Sequence, residues 1–256
     1  MICGLDPQFL ARPLAHRGLH TDNAGILENS RSAFAAAIEK GYGIELDLQL
    51  SADGQAMVFH DDTLDRMTSH QGPVRNHTAK NLERMALKQS DDCILPLVAL
   101  LQQVSGSVPL LIELKDQTGD LSSSNGDLER ATANALQHYQ GAVAVMSFNP
   151  FSVLEMRRQA PQIARGLTTE VFTKEEWPKI SKDKRLNLTN ISDFEKCEAS
   201  FISHNHEDLE SAPVRALKAK GVPILCWTIE TKAQQHAARQ LADNFTFEGF
   251  QPATSY

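Results

Sequence analysis

The chain has little cysteine: four residues in 256, at Cys3, Cys93, Cys197 and Cys226. Their spacing matches neither a zinc site nor a disulfide framework, so reduced, mostly packed thiols are expected. It also lacks a long apolar run. No stretch approaches the ~18 apolar residues of a membrane helix, which excludes stable membrane insertion through a helix. Met1 to Pro13 carries Asp6 and Arg12 and no apolar core, so it does not read as a signal peptide, and a cytoplasmic protein is expected. Blocks of Lys or Arg are absent and the net charge is −7, which argues against nucleic acid as a partner. An anionic small-molecule substrate would have to be met locally, by a metal or by one or two placed cations. There is no repeat at solenoid periods.

What is present is an ordinary globular composition, 41% hydrophobic and 22% charged, in a length that suits one (β/α)8 barrel. Short apolar runs occur at Pro13–Ala15, Ile44–Leu50, Leu110–Leu114, Ala142–Met146, Ile163–Leu167, Phe201–Ser203, Ile224–Trp227 and Asn244–Phe247. Amphipathic stretches lie between them: Ser30–Lys40, Leu128–Tyr139, Phe151–Gln159, Val214–Lys220 and Lys232–Leu241. Ser30 is placed to cap a helix start and Gly41 a helix end. Alternating strand and helix predicts an α/β fold with a parallel sheet, closed as a TIM-type barrel in a single domain of residues 1–256. A further strand-like run, Arg185–Thr189, leaves the strand count between Val171 and Cys197 open by one. Met57-Val58-Phe59 is predicted to pair antiparallel with Glu45–Leu50 through an Asp53-Gly54 turn. Two stretches read as loops. Asp61 to Leu95 is polar, and Asp116 to Asp127, rich in Ser and Gly, has the composition of a mobile segment.

Chemistry collects at the ends of the apolar runs, which a barrel gathers on one face. Glu45 and Asp47 are two apart on a strand and point to the same side. Buried together they repel and lose hydration, and a cation is the natural remedy. Glu113 offers a third oxygen ligand, and three carboxylates suit one hard divalent ion, Mg2+ or Ca2+. Pairing with Arg or Lys at a strand end explains any one of these acids, but explains all three less well. His16 and His60 end two of the runs and can give or take a proton near neutral pH. His20, His70, His77, His138, His204, His206 and His236 read as structural or surface residues, with His20 and His204 nearest to strand ends. Arg17 can clamp a phosphate through two parallel hydrogen bonds, and Lys115 can act on it as a point charge. Trp227 reads equally as core and as a platform for a small polyol.

The order of these motifs carries more than any one of them. His16-Arg17-Gly18, Glu28-Asn29-Ser30, Ile44-Glu45-Leu46-Asp47, His60-Asp61-Asp62-Thr63-Leu64-Asp65-Arg66, Ile112-Glu113-Leu114-Lys115 and Cys226-Trp227-Thr228 closely resemble the glycerophosphodiester phosphodiesterase family. The resemblance spans roughly residues 13–248 and is densest over 13–66. It implies a (β/α)8 barrel with a small insertion after the second strand, here residues 61–95. It implies metal-dependent hydrolysis of deacylated phospholipids to glycerol 3-phosphate and an alcohol. Carried over, Glu45, Asp47 and Glu113 would hold the metal, His16 and His60 would be the acid–base pair, and Arg17 and Lys115 would meet the phosphate. The family's last strand usually ends in Thr-Asp, where this chain has Phe247-Glu248, and the likeness weakens from Thr173 to Cys197.

Three rivals share parts of this pattern. A phosphodiesterase acting on lysophospholipids would keep the whole site but needs an apolar or basic amphipathic stretch beside it. Lys232–Leu241 is too polar for that and 61–95 only mildly apolar. A non-catalytic phosphate-binding barrel would have lost site residues, and none of the expected positions is empty. A different metal-dependent barrel enzyme would explain the acids without their ordered contexts.

Overall fold

The computed structural model describes residues 3–21 and 25–254. Ten strands occur among them: β1 (Leu14–Ala15), β2 (Gly43–Leu50), β3 (Ala56–Val58), β4 (Leu95–Pro96), β5 (Leu110–Leu114), β6 (Val143–Ser147), β7 (Ala164–Thr169), β8 (Phe201–Asn205), β9 (Ile224–Ile229) and β10 (Asn244–Phe247). Eight of them close a parallel barrel in the order β1-β2-β5-β6-β7-β8-β9-β10, with β10 returning to β1. Each of these eight overlaps one of the apolar runs. Helices Arg31–Lys40, Leu97–Val104, Asp127–Leu136, Pro150–Gln159, Lys182–Thr189, Ala212–Ala219 and Lys232–Ala238 follow seven of the barrel strands in turn. Five of them match amphipathic stretches of the sequence, with ends shifted by a few residues, whereas Leu97–Val104 and Lys182–Thr189 were not expected as helices.

Alternation along the strands sorts the side chains. Ile44, Leu46, Leu48, Leu110, Ile112 and Val145 face the helices in the main core. Leu14, Leu111, Ala144, Met146, Phe201 and Leu225 fill the barrel's lower interior, and Phe9 of the leading helix Gln8–Ala11 closes it from below. Gly166 is required in that interior, because a Cβ there would lie 2.4 Å from the Phe201 ring. Asn244 donates to the carbonyls of Phe9 and Arg12, both at 2.6 Å, which ties the plug to β10.

Three expectations change. The run Arg185–Thr189 is not a strand but the end of helix Lys182–Thr189. Ser181 caps that helix by accepting from the Lys184 amide, and only Leu188 of its two leucines is buried, the other, Leu186, being 57% exposed. A strand covered on one face would bury both, since they are two apart. Residues 61–95 are more than a polar loop. They include the helical turns Val74–Asn76 and Ala79–Leu82, and Met57, Phe59, Leu64, Val74, Leu82 and Ile94 form a core of their own. This core is built from apolar residues too scattered to show a period. Residues 116–127 are held in place. Asp116 accepts from the amides of Gly119 and Leu121, and Leu121 is buried. The antiparallel strand after the Asp53-Gly54 turn is present as Ala56–Val58, paired with Leu48–Leu50.

Candidate active site

Strand register assembles an acidic centre. Glu45 and Asp47 point inward from β2, and Asp47 stands beside Glu113 of β5 in the parallel ladder. The three carboxylates each place an oxygen within 4.8 Å of the others, and all are buried. Like charges set side by side on a sheet oppose each other. Burial, reinforced by Asp47 and Glu113, pushes the Glu45 carboxyl well above its usual range, against the pull of Arg17. Asp47 goes the other way. Burial opposes its ionisation, but Lys115, His60, Arg17 and His16 outweigh it and hold the carboxyl well below the usual range. A cation held here would compete with a proton for Glu45.

Two cations flank it. Lys115 Nζ lies 2.9 Å from Glu113 and 3.6 Å from Asp47, and these neighbours raise its pKa despite its burial. Arg17 lies 3.3 Å from Asp47, donates to Glu28 at 2.9 Å, and gives its backbone N–H to Glu45 at 3.1 Å. Arg17 sits in the left-handed region at φ 54°, followed by Gly18 at φ 82°. A Cβ on Gly18 would lie 2.9 Å from that of Ala33, so only glycine lets this turn press against the first outer helix.

His16 follows β1 and His60 follows β3, and both line the cavity of about 250 Å³ above the acids, with Arg17, Lys115, Thr168, Trp227 and Thr246. His16 Nε2 is 3.9 Å from Glu45, while its Nδ1 is 2.6 Å from Glu248 Oε2. His60 Nδ1 is 2.7 Å from Asp61 Oδ1. Each ring therefore has one nitrogen held by a carboxylate and the other left for the cavity. Trp227 lies at the rim, half-buried, donating to the Ser203 carbonyl at 3.0 Å and meeting Phe148 edge-on at 5.6 Å.

A profile of the glycerophosphoryl diester phosphodiesterase family matches residues 16–243. The chain belongs to this family. It is 26% identical over 227 residues to a glycerophosphodiester phosphodiesterase of Caldanaerobacter subterraneus subsp. tengcongensis, covering 86% of each chain. It is 24% identical over 242 residues to one of Bacillus subtilis, covering 87% of this chain and 78% of that one. In fold it resembles an Oleispira antarctica phosphodiesterase solved with its product sn-glycerol-3-phosphate, with a TM-score of 0.77, 22% identity, and 94% and 93% of the two chains covered. The chain is thus a phosphoric diester hydrolase of the glycerophosphodiester phosphodiesterase type.

For such an enzyme the charges add up usefully. With all three carboxylates ionised, as a bound cation would require, the trio and the two cations Arg17 and Lys115 leave one net negative charge. One divalent cation would turn this into one net positive, which matches the single charge of a phosphodiester. The oxygen donor set and the burial fit a hard ion held by Glu45, Asp47 and Glu113.

The eight residues singled out from the sequence, His16, Arg17, Glu45, Asp47, His60, Glu113, Lys115 and Trp227, all line this one cavity. His204 does not join them. It is fully buried, with Nδ1 2.7 Å from the Thr169 hydroxyl. Cys197 and Cys226 are also buried away from the site, and burial pushes both thiols up to about 12.

Sequence reasoning missed the residues that hold the others. Arg66 donates to Asp61 at 2.7 Å and to Glu28 at 2.6 Å, linking the partner of His60 to the partner of Arg17. Asn29 donates to Asp47 at 2.9 Å. Their signal was their presence inside the quoted motifs. Glu248 stood out only as a departure from Thr-Asp.

Proposed function

We propose that this enzyme hydrolyses glycerophosphodiesters to glycerol 3-phosphate and an alcohol in a metal-dependent, two-histidine reaction that passes through a cyclic phosphate. The observation that carries this reading is the buried trio Glu45, Asp47 and Glu113 beneath two carboxylate-oriented histidines. Glu45, Asp47 and Glu113 would hold one Mg2+ or Ca2+. When bound, that ion supplies Lewis-acid stabilisation of charge on the phosphoryl oxygens.

The protein's own groups do the rest. Arg17 and Lys115 draw the phosphodiester in and fix its orientation. One histidine, through its free Nε2, takes the proton of the glycerol 2-hydroxyl as that oxygen attacks phosphorus. The bond from phosphorus to the alcohol oxygen breaks, and the other histidine gives that oxygen a proton. Water then opens the cyclic ester. It loses its proton to the second histidine, and the first returns a proton to the 2-oxygen, so both rings end as they began. Glu248 and Asp61 stabilise whichever ring carries the positive charge.

The test is release of glycerol 3-phosphate from glycerophosphocholine and glycerophosphoethanolamine, with and without EDTA, beside Glu45→Ala. Release that is metal-dependent and lost in the variant is expected. Release that survives both EDTA and the substitution would sink the metal assignment, and no release from either substrate would sink the activity.

A further inference from the structure

A second cavity, of about 470 Å³, opens beside the catalytic one and shares Glu113, Lys115 and Phe148 with it. We propose that it is the subsite for the alcohol of the phosphodiester, and that Leu121, Phe148, Trp177 and Ile180 make it select alcohols with an apolar or methylated body over polyhydroxyl ones. This rests on the phosphodiesterase reading above and deepens it.

The walls come from three strand-to-helix connections. Leu121 follows β5, Phe148 follows β6, and Trp177 and Ile180 follow β7. Behind them Phe172 and Leu188 complete an apolar cluster separate from the main core. The aromatic rings are set against one another, with Trp177 5.5 Å from Phe148 and 5.1 Å from Phe172. Trp177 is fixed by a 2.7 Å hydrogen bond from its Nε1 to Glu170. The connections are also tied together. Lys184 donates to the carbonyls of Asp120 and Leu121, both at 2.8 Å. Leu121 adopts φ 58°, an uncommon conformation for leucine, and is only 1% exposed. An apolar side chain kept in a disfavoured backbone conformation indicates a wall that is built rather than incidental.

Asp62, Asp116, Glu176 and Lys179 also line this cavity and offer a polyol partners, so the selectivity rests on the apolar wall. The catalytic cavity offers hydroxyls of its own. There the Thr168 and Thr246 hydroxyls are buried in the floor without a hydrogen-bond partner among the described residues. The glycerol half therefore belongs over that floor and the alcohol half against Trp177. Polarity follows from the same geometry. Asp62, two residues beyond His60, lines the apolar cavity, whereas His16 directly follows β1 and Thr246 lies on the neighbouring strand β10. His60 is then the ring beside the departing oxygen, and His16 the one beside the glycerol hydroxyl.

The experiment uses the full chain with a divalent cation. It measures kcat/KM for glycerophosphodiesters of methanol, ethanol, propanol, butanol, choline and glycerol. The rate constant should climb about fourfold per added methylene, the gain expected for each buried methylene. The butyl and choline esters should exceed the glycerol ester by at least about tenfold, and Trp177→Ala should flatten the series. A flat series with metal-dependent release overturns the subsite and leaves the phosphodiesterase reading standing. No release from any ester overturns both. A lysophospholipid arm closes the remaining route: preference for an acylated glycerol half, with no dependence on the alcohol, gives the cavity to the other half of the substrate and overturns the assignment.

Discussion

The lower and upper halves of the barrel interior are made by the same strands and carry opposite burdens. On β5, Leu111 and Glu113 are two residues apart and both face inward, one into the apolar plug and one into the acidic centre. Below, Phe9, Leu14 and Phe201 are packed without exposure. Above, five charged side chains crowd a cavity. Strand alternation decides only that a side chain faces in. Which end of the strand it stands on decides whether it stabilises the fold or strains it for chemistry. This division can be broken by experiment.

The largest effect is expected above. His60→Ala or His16→Ala should lower turnover at least ~10²-fold while the melting temperature stays near that of the parent. Near-normal turnover in either variant removes that histidine from the mechanism. An activated aryl alcohol, which leaves without needing a proton, should spare His60→Ala much more than His16→Ala. Equal losses would erase the polarity inferred from the apolar cavity.

Below, the effect should fall on stability. Phe9→Ala should cost about 3–5 kcal/mol of unfolding free energy, since it empties a packed plug. The protein that remains folded should keep its kcat. Denaturant unfolding beside initial rates checks both, and a loss of kcat without a loss of stability would break the comparison.

Glu45→Gln sharpens it, because the two halves should respond with opposite signs. Activity should vanish, yet the metal-free variant should melt higher than the metal-free parent. The sign follows from the raised Glu45 carboxyl. Its contribution is intact below the ordinary carboxylate range, where it is protonated in both folded and unfolded chains, and is lost as pH rises through the folded value. The gap in melting temperature should therefore widen as pH rises above the ordinary carboxylate range. A divalent cation at a hundred times its Kd should stabilise the parent by about 2.7 kcal/mol and the variant far less. A parent that gains nothing from either ion would remove the cation from the acidic centre.

The smallest effect belongs to a residue that touches no substrate. Glu248→Gln keeps the shape but removes the charge that His16 and His20 hold well below the usual carboxylate range. Turnover should fall about tenfold with KM nearly unchanged, a split that mere loosening of the rim would not produce. Steady-state rates across substrate concentration would separate the two.

Much of the site was legible because its residues sit in short contiguous motifs. Glu45 and Asp47 share a strand, and the period of two tells which way both point. His16, Arg17 and Gly18 are consecutive, as are His60 and Asp61. The holding residues were harder to see. Glu248 meets His16 across 232 positions of sequence, through the closure of β10 onto β1. The apolar cavity was harder still. Leu121, Phe148, Trp177 and Ile180 lie on three separate connections and show no period, so a search for an apolar stretch near the site passes over them. Arg185–Thr189 misled for a related reason: leucines two apart mimic a strand when one of them faces solvent.

The amino-acid sequence by itself determined the eight barrel strands, five of the seven helices between them and the family. Those follow from local periodicity, capping residues and ordered motifs, which are written over short distances. Only the tertiary structure decided that Glu113 would stand against Asp47, that Glu248 would hold His16, and that four scattered apolar residues would wall a cavity beside the acids. Each of these depends on register and closure, which arise when strands far apart in the chain share hydrogen bonds, and no local pattern encodes them.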